Sequence, residues 1–200
     1  MDVASYQPGC AWRTTRFFMC SNQSRSCGFT LLELLVALSI LTILISYALP
    51  SVSAFIDGQR KIAHLNSMAS TLYLARSEAI MRNSEVMVCK SYDGNRCITS
   101  GEWEQGWIVF EDRDGNRIHD AEEVILARQK AASGITVYYR AFGSNHYIVF
   151  NAQGVTETNG TYTFCDSNGS ASARALIVYK TGRSRTSSVR SDGTPLSCPP

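Results

Sequence analysis

Three groups of residues in this 200-residue chain have types and spacings that could do chemistry. The first is Glu33, the lone charged side chain in an apolar run, residues 29–49, that ends at Pro50. Hydrocarbon surroundings penalise a mid-helix carboxylate by about 2.5–3.5 kcal/mol, and less near a helix end, so an acid here requires a function. The second is a basic stretch, Arg174, Lys180, Arg183, Arg185 and Arg190, with no acid between Ala173 and Ser191. Side chains alternate along a strand, which would place Arg183 and Arg185 on one side. Two guanidinium forks on one side could grip successive phosphates, with Ser184, Thr186, Ser187 and Ser188 as further donors. Gly182 beside them permits a close backbone approach or a bulge. The alternative is a solvated edge strand on which cations deter pairing with another chain. No base-reading element accompanies these residues, so nucleic-acid contact here would be weak, salt-sensitive and independent of sequence.

The third group is the twelve-residue stretch from Asp112 to Glu123, which carries oxygen side chains at positions 1, 3, 5, 9 and 12, as an EF-hand-like calcium loop does. Position 6, where a sharp turn calls for Gly, is Arg117, and the flanks read as strands. The preferred reading is a polar hairpin loop whose Asp and Asn side chains cap their own backbone. Asp112, Asp114 and Asn116 stay as calcium candidates beside it. Catalysis has no such support. His64, His119 and His146 are scattered, and neither a Gly-x-Ser-x-Gly elbow nor a Gly-Lys-Ser/Thr phosphate loop occurs. The expectation is a non-enzyme without a cofactor, with His64 on the polar side of a helix.

The elements that must position these groups can be read from periodicity. Residues 29–49 would form a helix of about 32 Å at 1.5 Å per residue, enough for one bilayer crossing. Residues 1–28 hold Arg13, Arg16 and Arg25 against Asp2, an asymmetry that keeps this segment cytoplasmic and sends the rest outward. Without that segment, 19 basic and 17 acidic residues fall to 16 of each, so any nucleic-acid affinity must be local. Residues 50–83 become amphipathic, with Ile62, Leu65, Ala69, Leu72, Ala75 and Ala79 forming the apolar stripe of a helix laid on a sheet. Pro50 and Gly58 weaken the helix locally.

Beyond Ser84 the pattern turns to short strands at 85–90, 106–111, 123–128, 135–139, 147–150, 162–165 and 175–179. Asn159-Gly160 and Asn168-Gly169 read as hairpin turns. Trp103 and Trp107 read as core aromatics. The fold class is α+β, a spine helix on an antiparallel sheet, with a β-rich head over 84–200. Cys89, Cys97, Cys165 and Cys198 lie in the outward part, and an even count there suggests two disulfides with three alternative pairings. Nearest partners, Cys89 with Cys97 and Cys165 with Cys198, close the smallest loops. Zinc is disfavoured, because Cys-x7-Cys is not a usual metal spacing.

The segment Gly28-Phe29-Thr30-Leu31-Leu32-Glu33 and the apolar run behind it resemble the N-terminus of the type IV pilin superfamily, which includes the pseudopilins of type II secretion. The resemblance implies that residues 1–28 are a leader, that a prepilin peptidase cuts between Gly28 and Phe29, and that Phe29 is then N-methylated. It also implies that Glu33 meets the N-terminal amine of a neighbouring subunit during assembly and that Pro50 is a helix-kinking proline.

The head carries Gly101-x-Trp103-x-x-Gly106-Trp107, then Asp112-x-Asp114-Gly115, Tyr162-x-Phe164-Cys165 and Tyr179-Lys180-Thr181-Gly182-Arg183-Ser184-Arg185. In that order these are similar to the GspH/FimT group of minor pilins and pseudopilins. That likeness implies a minor pilin in the inner membrane, head in the periplasm, which joins or primes a type IV pilus. Its partners would be the prepilin peptidase, other pilins or pseudopilins, and the membrane. Double-stranded DNA would be a further partner, bound for uptake at Gly182, Arg183 and Arg185, with Lys180 and Arg190 nearby. The alternatives are an H-type pseudopilin of type II secretion and a purely structural assembly subunit with no external ligand.

Overall fold

The computed structural model describes residues 29–167 and 169–198, and within these the side chains of 47–51 are left aside. The chain divides into two units, residues 1–43 and 44–200. Helix α1 covers Leu31–Arg82. Thr30 caps its start: the Glu33 N–H donates to the Thr30 hydroxyl at 3.2 Å, one half of a Thr-x-x-Glu capping box. Glu33 therefore has a local role, as an acid in the first turn near the positive end of the helix dipole. The apolar side chains from Leu31 to Ile45 are all exposed. Among the described residues no helix is long and apolar enough to cross a membrane. The side chains at the end of the segment expected to span, 29–49, and that of Pro50 lie outside the described ones, as does the leader with Gly28.

In the second unit eight strands follow: β1 (Glu85–Lys90), β2 (Gly106–Asp112), β3 (Ile125–Lys130), β4 (Ile135–Ala141), β5 (Tyr147–Phe150), β6 (Gly160–Asp166), β7 (Arg174–Val178) and β8 (Ser184–Ser187). They form two four-stranded antiparallel sheets, and the α+β class with a long helix on antiparallel sheet holds. Sheet A has the order β3-β2-β1-β5 and sheet B the order β4-β6-β7-β8. Asn159-Gly160 is consequently not a hairpin turn, since β5 and β6 lie in different sheets. Asn168 is outside the described residues, and the β6–β7 connection contains a 3-10 turn, Gly169–Ser172, longer than a two-residue turn.

One core joins α1 to the inner faces of both sheets. Leu65, Met68, Leu72, Ala75 and Ala79 meet Val88, Trp107, Val109 and Phe150 of sheet A and Val137, Tyr162, Phe164 and Leu176 of sheet B. Trp103 and Trp107 are buried there; their indole N–H groups donate to the Asn145 carbonyl (3.0 Å) and the Thr71 hydroxyl (3.1 Å). The helix face is the one expected at Leu65, Leu72, Ala75 and Ala79 and departs from it at its start. Ile62 is exposed, while Lys61 and His64 are buried. The Lys61 ammonium lies 2.7 Å from a carboxylate oxygen of Asp166, and donates to the Ser172 carbonyl at 2.5 Å. A charge at a core position is tolerable when it is paired and hydrogen-bonded in this way. His64 packs edge-on to Trp107, with ring centroids 4.8 Å apart, and its Nε2 has no hydrogen-bond partner among the described residues. Desolvation lowers its pKa and keeps the ring neutral.

The disulfides join Cys89 to Cys97 and Cys165 to Cys198, with Cα atoms 5.6 and 6.0 Å apart. The first holds the loop after β1 against the outer face of sheet A, where Met87, Ile108, Phe110 and Val149 form a second cluster. The second fastens the tail beside Ala173, Ala175, Ile177 and Leu196, on the outer face of sheet B.

Candidate nucleic-acid interface

Past Arg174, which opens β7, the basic stretch resumes where β7 ends. Tyr179 and Gly182 form a tight turn: the Gly182 N–H donates to the Tyr179 carbonyl and the Tyr179 N–H to the Arg183 carbonyl, both at 2.8 Å. Gly182 has φ near +75°, which glycine adopts without strain. A Cβ there would collide with the Gly154 carbonyl oxygen, which already accepts the Arg76 Nε–H of α1 at 2.9 Å. The close approach that Gly182 allows is thus made inside the molecule. The turn is further held by Lys180, whose N–H donates to the Asn159 side-chain oxygen at 2.7 Å, and by the Thr156 N–H, which donates to the Lys180 carbonyl.

This scaffold presents Lys180, Arg183 and Arg185 at the surface. Arg185 lies in β8, the edge strand of sheet B, and Arg183 immediately precedes it. The Arg185 Nε–H donates to the Tyr179 hydroxyl at 2.7 Å, with the guanidinium 6.0 Å from that ring's centre. One edge of the guanidinium fork is thereby fixed, and its terminal N–H groups are not used by this bond. Among the described residues Arg183 has no side-chain partner, and none of Lys180, Arg183, Arg185 and Arg190 forms an ion pair. Arg190 donates to the Ser197 hydroxyl at 2.7 Å, and Arg174 is turned to the Ala173 carbonyl at 2.9 Å. Four of the five cations expected to act together therefore lie along the turn, β8 and the tail, whereas Arg174 is spent locally.

The acidic loop between β2 and β3 is organised differently. Asp112 is 1% exposed, and its carboxylate accepts the N–H groups of Gly115 (2.9 Å) and Arg117 (3.0 Å). Asp114 accepts the Asn116 N–H at 3.1 Å, and Glu123 accepts the N–H groups of Arg113 and Asp120. Desolvation raises the Asp112 pKa despite these bonds. Carboxylate oxygens of Asp112, Asp114 and Glu123 lie within 4.8 Å of one another, so these three could hold a cation. Asn116 instead donates to Asp114 and Asp120, both at 2.8 Å. Arg117 adopts φ near +64°, the left-handed conformation that position 6 demands, although it is not Gly. Its guanidinium reaches the Tyr147 hydroxyl and pairs with Glu157.

Sequence reasoning missed Arg140. It lies exposed in β4 opposite Thr161 of β6, with no motif around it to mark it.

Residues 64–182 match the family described as Type II transport protein GspH, and residues 23–49 match the prokaryotic N-terminal methylation motif. The chain is 30% identical over 172 residues to the pilin-like protein PilA1 of Thermus thermophilus, covering 79% of this chain and 96% of that protein. Among solved structures, the type IV minor pilin FimU of Pseudomonas aeruginosa superposes with a TM-score of 0.49 at 22% identity, over 70% of this chain and 93% of that one. The minor pseudopilin EpsH of the Vibrio cholerae type 2 secretion system gives 0.46 at 12% identity, over 64% and 96%. The GspH match takes in more than half of the chain and the motif match its N-terminus: the chain belongs to the GspH family, within the type IV pilin superfamily.

Proposed function

We propose that this protein is a minor pilin that joins or primes a type IV pilus, and that it contacts double-stranded DNA through Gly182-Arg183-Ser184-Arg185. The observation that carries the DNA contact is the pair of exposed guanidiniums on a braced turn and edge strand, without carboxylate partners among the described residues. Unpaired guanidinium forks bind phosphate oxygens in charge-assisted pairs. Gly182 serves this contact indirectly, by shaping the turn. Lys180 and Arg190 add charge around it. Full-length protein in mild detergent should bind a labelled duplex at low salt and lose affinity steeply as salt rises. Arg183→Ala with Arg185→Ala should weaken binding by more than about tenfold and make its salt dependence shallower, because two phosphate contacts are lost together. Equal binding by this folded variant would remove both residues from the interface.

The assembly half of the proposal rests on the methylation motif and on the exposed apolar side chains from Leu31 to Ile45. Exposed apolar surface of this extent calls for lipid or neighbouring subunits. In this reading the chain is cut after Gly28, Phe29 is methylated, and residues 29–49 hold the protein in the inner membrane until a filament takes it up. The head then faces the periplasm, Pro50 admits a bend, and Glu33 pairs with the amine of a neighbour. Glu33→Ala should still be cut by the prepilin peptidase but should be depleted from sheared filaments; normal incorporation would count against that role. The match to the Type II transport protein GspH family favours a second reading, an H-type pseudopilin of a type II secretion system. Recovery of the wild-type protein in sheared surface pili supports the first reading, and loss of secretion without loss of pili supports the second.

A further inference from the structure

Strand register places a second arginine on the face that carries Arg185. Arg140 pairs with Thr161, Thr161 with Ile177, and Ile177 with Arg185, so these four residues form one row across sheet B. Directly opposed residues of antiparallel strands point to the same side. Ile177 belongs to the outer cluster, whereas its neighbours Leu176 and Val178 belong to the core, which fixes the row on the outer face. Three strand spacings of about 4.8 Å separate the ends of the row by about 14 Å. Between them lies a groove of about 310 Å³, lined by Arg140, Phe142, Thr161, Ile177 and Tyr179, among others. It ends at Tyr179, whose hydroxyl holds Arg185. A smaller cavity of about 150 Å³ continues past Thr163 to Arg190. Asp192 is the acid lining that second cavity, and its carboxylate accepts the Thr194 N–H and hydroxyl at 2.9 and 2.6 Å.

We infer that the two ends of this row hold one phosphate backbone: a DNA strand passes over the outer face of sheet B from Arg185 to Arg140, above Ile177, which the tail cluster buries. The inference rests on the DNA reading of Arg183 and Arg185 and extends that site across three further strands. Phosphates follow one another closely along each strand of duplex DNA, so side chains at the two ends of a row about 14 Å long reach phosphates of the same strand. The two arginines can therefore hold phosphates of a single backbone, and the hydroxyl of Thr161 sits between them as a neutral donor. Arg140 is exposed and has no side-chain partner among the described residues, so no internal contact must break before it binds. Phe142, 90% exposed at the Arg140 end, provides an apolar edge on which a sugar or an unpaired base can rest.

The test measures binding of full-length protein in detergent to a 25-base-pair labelled duplex across a salt series. Arg140→Gln is compared with Lys130→Gln, which removes the same charge from an exposed position of sheet A, and with the Arg183→Ala/Arg185→Ala variant. The track predicts that Arg140→Gln weakens binding by about 3- to 30-fold and makes the slope of log affinity against log salt shallower by about one, while Lys130→Gln changes neither. If the Arg183/Arg185 variant loses binding but Arg140→Gln behaves like Lys130→Gln, the track is wrong and the Gly-Arg-Ser-Arg site stands. If wild-type protein binds no duplex even at low salt, both fail. Circular dichroism confirms that each variant is folded.

Discussion

Sheets A and B each give one face to a shared core, and they differ in how the other face is covered and charged. Over sheet A lie the loop closed by Cys89–Cys97 and the acidic loop after β2, whose His119 packs edge-on to Phe110 at 5.2 Å. The charges of that acidic loop are used internally, because its carboxylates accept backbone N–H groups. Over sheet B lies the tail fastened by Cys165–Cys198, and there Arg140, Arg183 and Arg185 have no carboxylate partner among the described residues. The contrast shows why a near balance of 19 basic and 17 acidic residues does not make the molecule electrostatically even. What matters for recognition is the charge left over after the fold has met its own hydrogen-bonding needs.

The largest expected effect comes from breaking the buried tie between α1 and sheet B. Lys61→Ala leaves the Asp166 carboxylate buried without its ammonium, which should cost about 3–5 kcal/mol in urea unfolding. A loss under about 1 kcal/mol would mean that the pair is not desolvated as the structure has it. Next come the two staples, which sharpen the comparison because they act on opposite sheets. By loop length, removing Cys165–Cys198 should cost about 4 kcal/mol and removing Cys89–Cys97 about 2.5 kcal/mol, on a model that assigns the effect to chain entropy. The reverse order would indicate that the tail is held mainly by its other contacts, such as the Cys198 N–H to the Ser170 hydroxyl at 2.8 Å.

A smaller effect is the pH dependence set beneath both sheets by His64. Its pKa is lowered in the folded state, so below the ordinary imidazole value of about 6.5 the unfolded chain binds the extra proton first. Stability contributed by neutral His64 is then lost as pH falls from about 7 towards 5. His64→Phe, which keeps the ring packing against Trp107, should flatten that decline. An unchanged pH profile in the variant would place the titrating group elsewhere.

Parts of this arrangement were legible in the sequence for simple reasons. Short runs rich in β-branched and aromatic residues marked 85–90 and 147–150 as strands, and the two tryptophans were too large to leave outside the core. Proximity along the chain pointed to the disulfide pairing in the structure. Other parts depended on partners far away in sequence. The burial of Lys61 depends on Asp166, 105 residues further on, and His64 looked polar because its neighbours Trp107 and Phe164 arrive from two different sheets. That division into two sheets is set by where each connection crosses, which Asn-Gly turn signals do not encode. Gly182 was legible as a glycine that permits close approach, but not as one approached by Gly154. Arg140 was invisible for the same reason, since only strand register puts it in line with Arg185.

The central claim is that DNA meets the outer face of sheet B at the unspent arginines. Cross-linking full-length protein to a duplex, followed by mass-spectrometric mapping of the linked peptides, tests it most directly. The account predicts links within residues 138–142 and 179–190, weakened together in the Arg183→Ala/Arg185→Ala variant. Links concentrated in the sheet A loops, residues 91–99 and 113–124, or no links at all, would contradict it.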